Sequence, residues 1–222
     1  MKRRSKPDLH GADVDILQVL ALQSSDPKRI RSVLDPRNPI APTVLPHVIP
    51  LLGVRAVATS VIHALERVAE QRPGALIDAL LDARLAPTVR RRLARVLSAS
   101  RHQSVADGLL LAMSDGLLDV RIQSARALFR LRRRNPELRI DAERIFDLVR
   151  EELSHGVPDL AHLFTLLAFV LPVEPLRAAY RGLKGDDQRA RGTALEYLGG
   201  VLSRDVREGL WTILEARGVN PR

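Results

Sequence analysis

The sequence predicts an all-α protein, an α-solenoid of about six stacked antiparallel helix pairs. The first observation is an internal repeat, in which a small apolar residue precedes Arg and more small and apolar residues follow at helical spacing. Its copies begin at Val54-Arg55, Val89-Arg90, Val120-Arg121 and, with a looser match, Ala190-Arg191. The Arg positions lie 35, 31 and 70 residues apart, and 70 is two steps of 35. Such a period is typical of one helical unit that has been stacked several times.

Two further observations favour a helical interior. Val and Ile recur at helical rather than alternating spacing, so no segment is predicted to be a β-strand. Aromatic residues make up only 3% of the chain, and Leu, Ala, Val and Ile must therefore fill the interior between closely approaching helices. The chain also has no cysteine, which excludes disulfides and Cys-based metal or redox sites and favours a cytoplasmic location.

Turn residues and apolar spacing place the elements in order. Residues 1–11 are expected to form a disordered basic start, and residues 12–222 a single solenoid domain whose first pair covers about 12–34. In the first half, helices are predicted over 12–23, 28–34, a kinked 41–52, 54–70, 74–83 and 87–99. In the second half, they are predicted over 104–113, 119–133, from the cap Asp141 to 153, 159–171, 175–183, 188–202 and 205–216.

Proline and glycine justify several of these boundaries. Pro27 suits the first helical position, where its missing N–H costs nothing. Pro42, Pro46 and Pro50 each remove a helix hydrogen bond, so the segment that holds them is expected to be kinked or partly broken. The pair Gly199-Gly200 is expected to loosen the helix around residues 198–201.

Paired helices, a proline in a first helix and Val-Arg at the head of second helices resemble HEAT repeats in their short bacterial form. The residues that carry this resemblance are 45–52 (Leu-Pro-His-Val-Ile-Pro-Leu-Leu) and the Val-Arg copies, and it extends from about residue 40 to the end. The resemblance implies an armadillo-like right-handed superhelix whose second helices line a concave binding face.

The C-terminal part carries a more particular resemblance. Residues 179–183 (Ala-Tyr-Arg-Gly-Leu) and 191–198 (Arg-Gly-Thr-Ala-Leu-Glu-Tyr-Leu) are similar to the HEAT regions appended to some bacterial nucleotide-translocase-like transporters. This resemblance implies a regulatory or scaffolding module. No transporter segment accompanies it, so the resemblance implies no transport activity.

The repeated Arg needs compensation, because a cation at a helix N-terminus faces the positive end of the macrodipole. When exposed, that placement costs about 0.3–1 kcal/mol. We therefore expect Arg55, Arg90 and Arg121 to bind carbonyls or carboxylates in the adjacent turns, in a ladder of Arg–Asp contacts that ties successive units together. The acidic residues in or near those turns are Asp82, Asp115, Asp119, Asp186 and Asp187.

The basic charge of the chain is concentrated in one window. The formal net charge is +9, and residues 84–134 alone contain 12 Arg against 3 Asp. Arg95 and Arg126 each lie five residues after a repeat Arg, so they are expected on the same face of adjacent second helices. With their neighbours they form the candidate partner-binding set: Arg91, Arg92, Arg95, Arg126 and Arg130. The alternative is a solvated face with some structural Arg.

These observations predict a non-catalytic interaction, scaffold or regulatory module that binds an acidic partner protein on its concave face. The alternative is a nucleic-acid-binding HEAT-like protein, a relative of DNA glycosylases. Gripping bases usually requires aromatic residues as well as Arg and Lys. The basic window holds only Phe129, which its position beside Leu128 predicts to be core, and Trp211 in the last helix is expected to pack or cap the end.

Motifs for other chemistries are missing from the sequence. The six His residues show no recognised metal-ligand spacing, no Gly-x-Ser-x-Gly is present, and no Lys-Ser/Thr follows Gly199-Gly200. We therefore expect no metal, no cofactor and no catalytic residue. No stretch reaches the roughly 20 apolar residues of a membrane helix, and the basic start leads into Asp8 rather than an apolar segment, which argues against a signal peptide.

Overall fold

The computed structural model describes residues 9–155 and 159–219. These residues form thirteen α-helices, one 3₁₀ helix and no β-strand, which confirms the all-α class. The chain divides into two compact units, Met1–Gly108 and Leu109–Arg222. Most of the predicted disordered start, residues 1–8, lies outside the described residues, and the first helix begins at Leu9.

The helix bounds match the predicted ranges to within a few residues in most cases. The first unit contains α1 (Leu9–Leu22), α2 (Pro27–Val33), α3 (Leu45–Val48), the 3₁₀ helix (Ile49–Gly53), α4 (Ala58–Gln71), α5 (Pro73–Leu81) and α6 (Pro87–Leu97). The unit boundary falls within α7 (Gln103–Ala112). The second unit contains α8 (Leu118–Arg134), α9 (Ala142–Ser154), α10 (Leu160–Leu167), α11 (Val173–Lys184), α12 (Gln188–Val201) and α13 (Arg204–Ala216).

Aspartate side chains cap the N-termini of four helices. Asp26 accepts a hydrogen bond from the backbone N–H of Lys28 at 2.8 Å. Asp141, Asp159 and Asp187 accept from backbone N–H groups two residues on, at 2.8–3.0 Å. Each carboxylate satisfies a donor that has no partner within its own helix, which explains why these helices begin where they do.

The three prolines break the segment 41–52 as predicted. A single α-turn, α3, passes directly into the 3₁₀ helix, which ends at Gly53. The chain then turns through Val54–Val57, so α4 begins at Ala58 rather than at residue 54. Arg55 therefore lies before the helix and is exposed, and its predicted place at a helix head is wrong.

The repeat in α4 has a different register from the predicted one. The buried residues Val57, Ala58 and Val61 follow the same spacing as Val89, Arg90 and Leu93 in α6. The Arg position is therefore taken by Ala58 in this unit. The predicted copy was displaced by three residues because the 3₁₀ helix and the turn after it absorb the chain up to Val57.

Two of the C-terminal helices also differ from the predictions. The helix α12 continues without a break through Gly199-Gly200 to Val201, so the predicted loosening is wrong. The Gly199 carbonyl accepts a hydrogen bond from Arg207 Nη1 at 2.9 Å, which holds this end of the helix. In contrast, α10 ends at Leu167, four residues early, and turns lead to Pro172, the N-cap of α11.

In the first unit, α6 packs against α4, α5 and the 3₁₀ helix. The three helices of this group each contribute fully buried leucines, among them Leu65, Leu80 and Leu93. At the beginning of the chain, α1 packs against α2 and α3. In the second unit, α10 packs against α8, α9 and α11, while α11 packs against α12 and α9 against α13.

The helices α11 and α12 approach each other closely at Gly182. A Cβ atom placed on this residue would lie 2.6 Å from the carbonyl oxygen of Ala190 and 3.2 Å from the Cβ of Ala194. The first of these neighbours is backbone, which cannot rotate away. The hydrogen atom in place of a side chain therefore sets the spacing of this helix pair.

The repeated Arg residues bind the ends of preceding helices. Arg90 is only 1% exposed, and its Nε donates to the carbonyl of Leu80, near the end of α5, at 2.8 Å. Arg121 Nη1 donates to the carbonyl of Asp115 at 2.9 Å. Arg191 Nη2 donates to the carbonyl of Gly185 at 2.8 Å. The contact that these three residues share is thus with a backbone carbonyl of their own helix pair.

Two of the aspartates predicted to bind the repeated Arg residues have other partners among the described residues. Asp82 binds Arg84 at 2.9 Å, and the side-chain and backbone hydrogen bonds from Arg84 lower the pKa of Asp82, with a smaller Coulomb contribution from Arg90. Asp187 caps α12. The carboxylate that binds Arg121 belongs to Glu152.

The Gly182 contact can be tested with two alanine substitutions. Gly182→Ala is expected to lower the free energy of unfolding by about 1–3 kcal/mol, because the new methyl group forces α11 and α12 apart. Gly192→Ala, on the same helix pair with open space around it, is expected to raise that free energy by about 0.5–1 kcal/mol. Urea denaturation followed by circular dichroism measures both. Equal stability of the two variants would contradict the close approach.

The burial of the repeated Arg gives a second test. Arg90→Met keeps an apolar stem but removes the donor to Leu80, so we expect a loss of about 1.5–3 kcal/mol in the free energy of unfolding. Arg55→Met, at an exposed arginine in the turn before α4, is expected to change it by less than about 0.5 kcal/mol. Similar losses for both substitutions in urea denaturation would contradict the structural role of the buried Arg90.

Candidate functional site: an arginine-rimmed aromatic groove

A groove with a volume of about 390 Å³ lies in the second unit, and most of its lining comes from α8, α10 and α11. Three arginines and three aromatic residues are among its lining residues: Arg126, Phe129, Arg130, Phe164, Arg177 and Tyr180. The remaining lining residues are apolar, apart from Thr165, and none carries a carboxylate. The groove thus combines an apolar surface with positive charge.

Each aromatic residue of the groove packs against another ring. Phe129 meets Phe169 with ring centroids 5.7 Å apart and an interplanar angle of 76°, an edge-to-face arrangement. Phe164 and Tyr180 have centroids 5.1 Å apart at 52°. Phe129 is only partly buried, so its predicted place in the core is wrong. The buried face of α8 runs through Ala125 and Leu128, and Phe129 lies at its edge.

The predicted binding residues fall on two helices, one in each unit. On α8, Arg126 is exposed and Arg130 lies one turn further on, partly buried, and both line the groove. On α6, Arg95 is exposed, whereas Arg91 and Arg92 are partly buried. Arg92 Nη1 donates to the carbonyl of Leu52, so this side chain holds the end of the 3₁₀ helix.

Several groove residues were not anticipated from the sequence. Arg177 on α11 lines the groove, and its Nη1 binds Glu174 Oε1 at 2.9 Å in an exposed pair. Phe164 and Tyr180 come from α10 and α11. These residues show no signal in the one-dimensional pattern, because only the packing of α10 against α8 and α11 brings them together.

A cluster of three buried charged or polar side chains connects α8, α9 and α10 of the second unit. Arg121 on α8 binds Glu152 on α9, with Nε–Oε1 at 2.5 Å and Nη2–Oε2 at 3.3 Å. His162 on α10 places its Nε2 3.2 Å from Glu152 Oε1. The exposed fractions of the three residues are 6%, 2% and 2%. The cluster thus links α9 to the helices α8 and α10 that line the groove.

The hydrogen bonds of the cluster stabilise the ionised form of Glu152. Burial alone raises the pKa of this carboxyl, but the hydrogen bonds from His162 and Arg121 outweigh it and lower the pKa to about 2. His162 Nε2 donates to the carboxylate, which can only accept. The other ring nitrogen, Nδ1, is buried and has no hydrogen-bond partner among the described residues.

A second groove, with a volume of about 630 Å³, lies in the first unit. It is lined by the three prolines of the segment 41–52 and by the facing side of α5, which contributes Ala79. Within the described ranges, no group of three or more His, Asp or Glu side chains is arranged to hold a metal ion. Every helix in residues 9–155 and 159–219 is too short or too polar to span a bilayer.

Comparison of the sequence with protein-family models and with curated proteins finds no match in either case.

Acid titration tests the buried cluster. The pKa of Glu152 is lowered on folding, so its contribution to stability is complete above the unfolded pKa near 4.5 and is lost as the pH falls toward about 2. Glu152→Gln is expected to lower the free energy of unfolding by about 3–5 kcal/mol at pH 7, because it leaves Arg121 buried without its counter-ion. The difference in the free energy of unfolding between the wild type and Glu152→Gln should narrow as the pH falls from 4.5 to 2.

The neighbouring Glu151 provides the control. Its carboxylate binds Arg144 at 3.0 Å, but the two side chains are 42% and 34% exposed, so Glu151→Gln should cost less than about 1 kcal/mol. Urea denaturation at several pH values measures both variants. A gap between the wild type and Glu152→Gln that does not change with pH would contradict the assignment.

Proposed function

We propose that this chain is a non-catalytic protein-interaction module, a HEAT-like α-solenoid that binds an acidic segment of a partner protein. The observation that carries the proposal is the pair Arg126 and Arg130, one turn apart on α8, on the lining of an aromatic groove. Arg177 adds a third positive charge from α11, and the lining contributes no negative charge. A surface of this kind attracts carboxylates and repels other cations.

The solenoid part of the proposal is supported by the way the second helices of neighbouring pairs meet. In the first unit α4 packs against α6, and in the second unit α8 packs against α10. Contact between equivalent helices is what stacked repeats require. The packing of α9 against α13 departs from strict succession, and the proposed solenoid is therefore irregular in its C-terminal part.

A scaffold or regulatory role in the cytoplasm completes the proposal. It is supported by the lack of cysteine and by the resemblance of residues 179–183 and 191–198 to HEAT regions that accompany other bacterial proteins. The partner is defined by its chemistry, a segment rich in Asp and Glu. The proposed recognition set consists of Arg126, Arg130 and Arg177, which line the groove of the second unit. The α6 residues Arg91, Arg92 and Arg95 belong to the first unit, where Arg95 is exposed and Arg92 binds the Leu52 carbonyl.

Charge contributes more to the specificity of such an interface than to its affinity. An exposed pair of Arg and carboxylate contributes only about 0.2–1 kcal/mol, and salt weakens it. Three such pairs provide modest affinity but a fast and selective encounter. A partner that binds more tightly must therefore also use the apolar part of the groove.

Binding of single-stranded nucleic acid is the second candidate, and one observation favours it. The groove places Phe129, Phe164 and Tyr180 among three arginines, and aromatic rings beside cations are suited to stacking bases along a phosphate backbone. The proposal is limited to binding. A glycosylase needs a carboxylate beside the base, and the groove lining, all within the described residues, supplies none.

Charge reversal in the groove separates these candidates. Arg126→Glu is expected to weaken the binding of a fluorescein-labelled Glu-rich peptide by about tenfold at low salt, because an attraction becomes a repulsion. The measurement is fluorescence anisotropy at two NaCl concentrations, with a labelled single-stranded oligonucleotide titrated in parallel. Binding of the oligonucleotide alone, with a steep dependence on salt, would favour the second candidate.

Arg133→Glu is the matched control for this measurement. Arg133 is also exposed on α8 but does not line the groove, and the substitution changes the net charge by the same amount. Peptide affinity should stay within about twofold of the wild type. Equal loss in both variants would mean that the overall charge of the protein attracts the peptide, and would overturn the assignment to the groove.

A further inference from the structure

The groove contains an apolar recess that charge recognition does not require. Along α10 and its C-cap, three small side chains, Ala161, Thr165 and Ala168, line the groove beside the ring of Phe164. Thr165 Oγ1 already donates to the carbonyl of Ala161 at 2.7 Å, so its hydroxyl does not need a ligand. Leu176 on α11 adds an aliphatic surface to the lining.

The aromatic rings that line this recess are held by packing contacts. Phe129 is held edge-to-face by Phe169, and Phe164 packs against Tyr180. Lys184 Nζ lies 5.4 Å from the centroid of the Tyr180 ring, a cation–π contact that further orients it. The groove, with this recess, has a volume of about 390 Å³. A volume of this size lies within the range of sites that hold an apolar group.

We infer that the groove is an anchor pocket, which takes one large aromatic or aliphatic side chain from the same acidic segment that its arginines bind. This inference rests on the proposed function and specifies the partner more closely. The partner segment carries a Trp, Phe or Leu with Asp or Glu on either side. Its apolar side chain enters between α8, α10 and α11, and its carboxylates face Arg126, Arg130 and Arg177.

A carboxylate of the partner can take the place of Glu174 on Arg177. Arg177 binds Glu174 at 2.9 Å, but the two side chains are 58% and 79% exposed. Water therefore screens this pair, and an incoming carboxylate can replace Glu174 at little cost. Burial of an aromatic side chain in the recess is expected to raise affinity by about ten- to hundredfold over charge alone.

Three synthetic peptides labelled with fluorescein test the inference on the wild-type protein. The first has a central Trp flanked by Glu residues, the second has Gly in place of the Trp, and the third keeps the Trp but has Gln in place of Glu. Fluorescence anisotropy gives the three affinities at low and high salt. We expect the first peptide to bind at least about tenfold more tightly than the second, with a difference that persists at high salt.

A substitution that fills the recess locates the anchor. Ala168→Phe is expected to reduce the affinity of the first peptide to that of the second, while the second is unaffected. Ala79→Phe, which places the same side chain in the groove of the first unit, is the control and should change neither affinity. Arg126→Glu should weaken both acidic peptides by the same factor, because it removes charge and leaves the recess open.

The outcomes separate the anchor pocket from the proposed function. Equal binding of the first and second peptides, or an unchanged advantage of the first in Ala168→Phe, overturns the anchor pocket but leaves acidic recognition intact. Equal binding of the first and third peptides, with loss in Ala168→Phe, supports the pocket and overturns acidic recognition. The comparison of peptides on the wild type decides the question even if Ala168→Phe does not fold.

Discussion

The last carbonyl groups of an α-helix have no partner within that helix, and in this protein arginine side chains bind several of them. The repeated Arg residues lie at the start of second helices, a position that the macrodipole disfavours for a cation. Their guanidinium groups, however, reach back to Leu80, Asp115 and Gly185, at or just beyond the ends of the first helices. There the negative end of the preceding dipole favours them. The hydrogen bond from each Arg to such a carbonyl thus compensates for the unfavourable position at the helix N-terminus. It also joins the two helices of a pair.

The same use of arginine changes the meaning of the net charge. Arg90 and Arg121 are buried, and Arg72 and Arg92 donate to the carbonyls of Ile40 and Leu52. Part of the excess of +9 therefore lies between helices. Composition counts these residues in the same way as those that face solvent. The positive surface that a partner meets is carried by fewer side chains, such as Arg95 and Arg126.

Most helix boundaries were predictable because short-range chemistry sets them. Asp26, Asp141 and Asp187 act within two or three residues of their own position, and proline acts on its own turn. The register of the repeat at Arg55 was not predictable. Apolar residues in 54–65 match a helical face in two registers, and the choice between them depends on where the 3₁₀ helix ends.

The candidate site was predictable on one helix and not on the others. Arg126 and Arg130 follow from their spacing after a repeat Arg, since one helix determines both. Arg177 and Tyr180 depend on the packing of α10 against α11, which is tertiary information. The partnership of Glu152 with Arg121 crosses 31 residues, and Glu152 is one of two adjacent glutamates on an amphipathic helix. Helical spacing places Glu152 on the same face as Ile145 and Val149, so the pattern indicates its burial but not its partner.

The buried cluster links the stability of the second unit to the shape of the groove. A buried ion pair often provides less stability than apolar residues of the same volume, because both charges lose their hydration. Its hydrogen bonds, however, are directional. Glu152 on α9 binds Arg121 on α8 and His162 on α10 at the same time. The helices α8 and α10 therefore cannot slide past each other without leaving a charge buried and unpaired, and both of these helices line the groove.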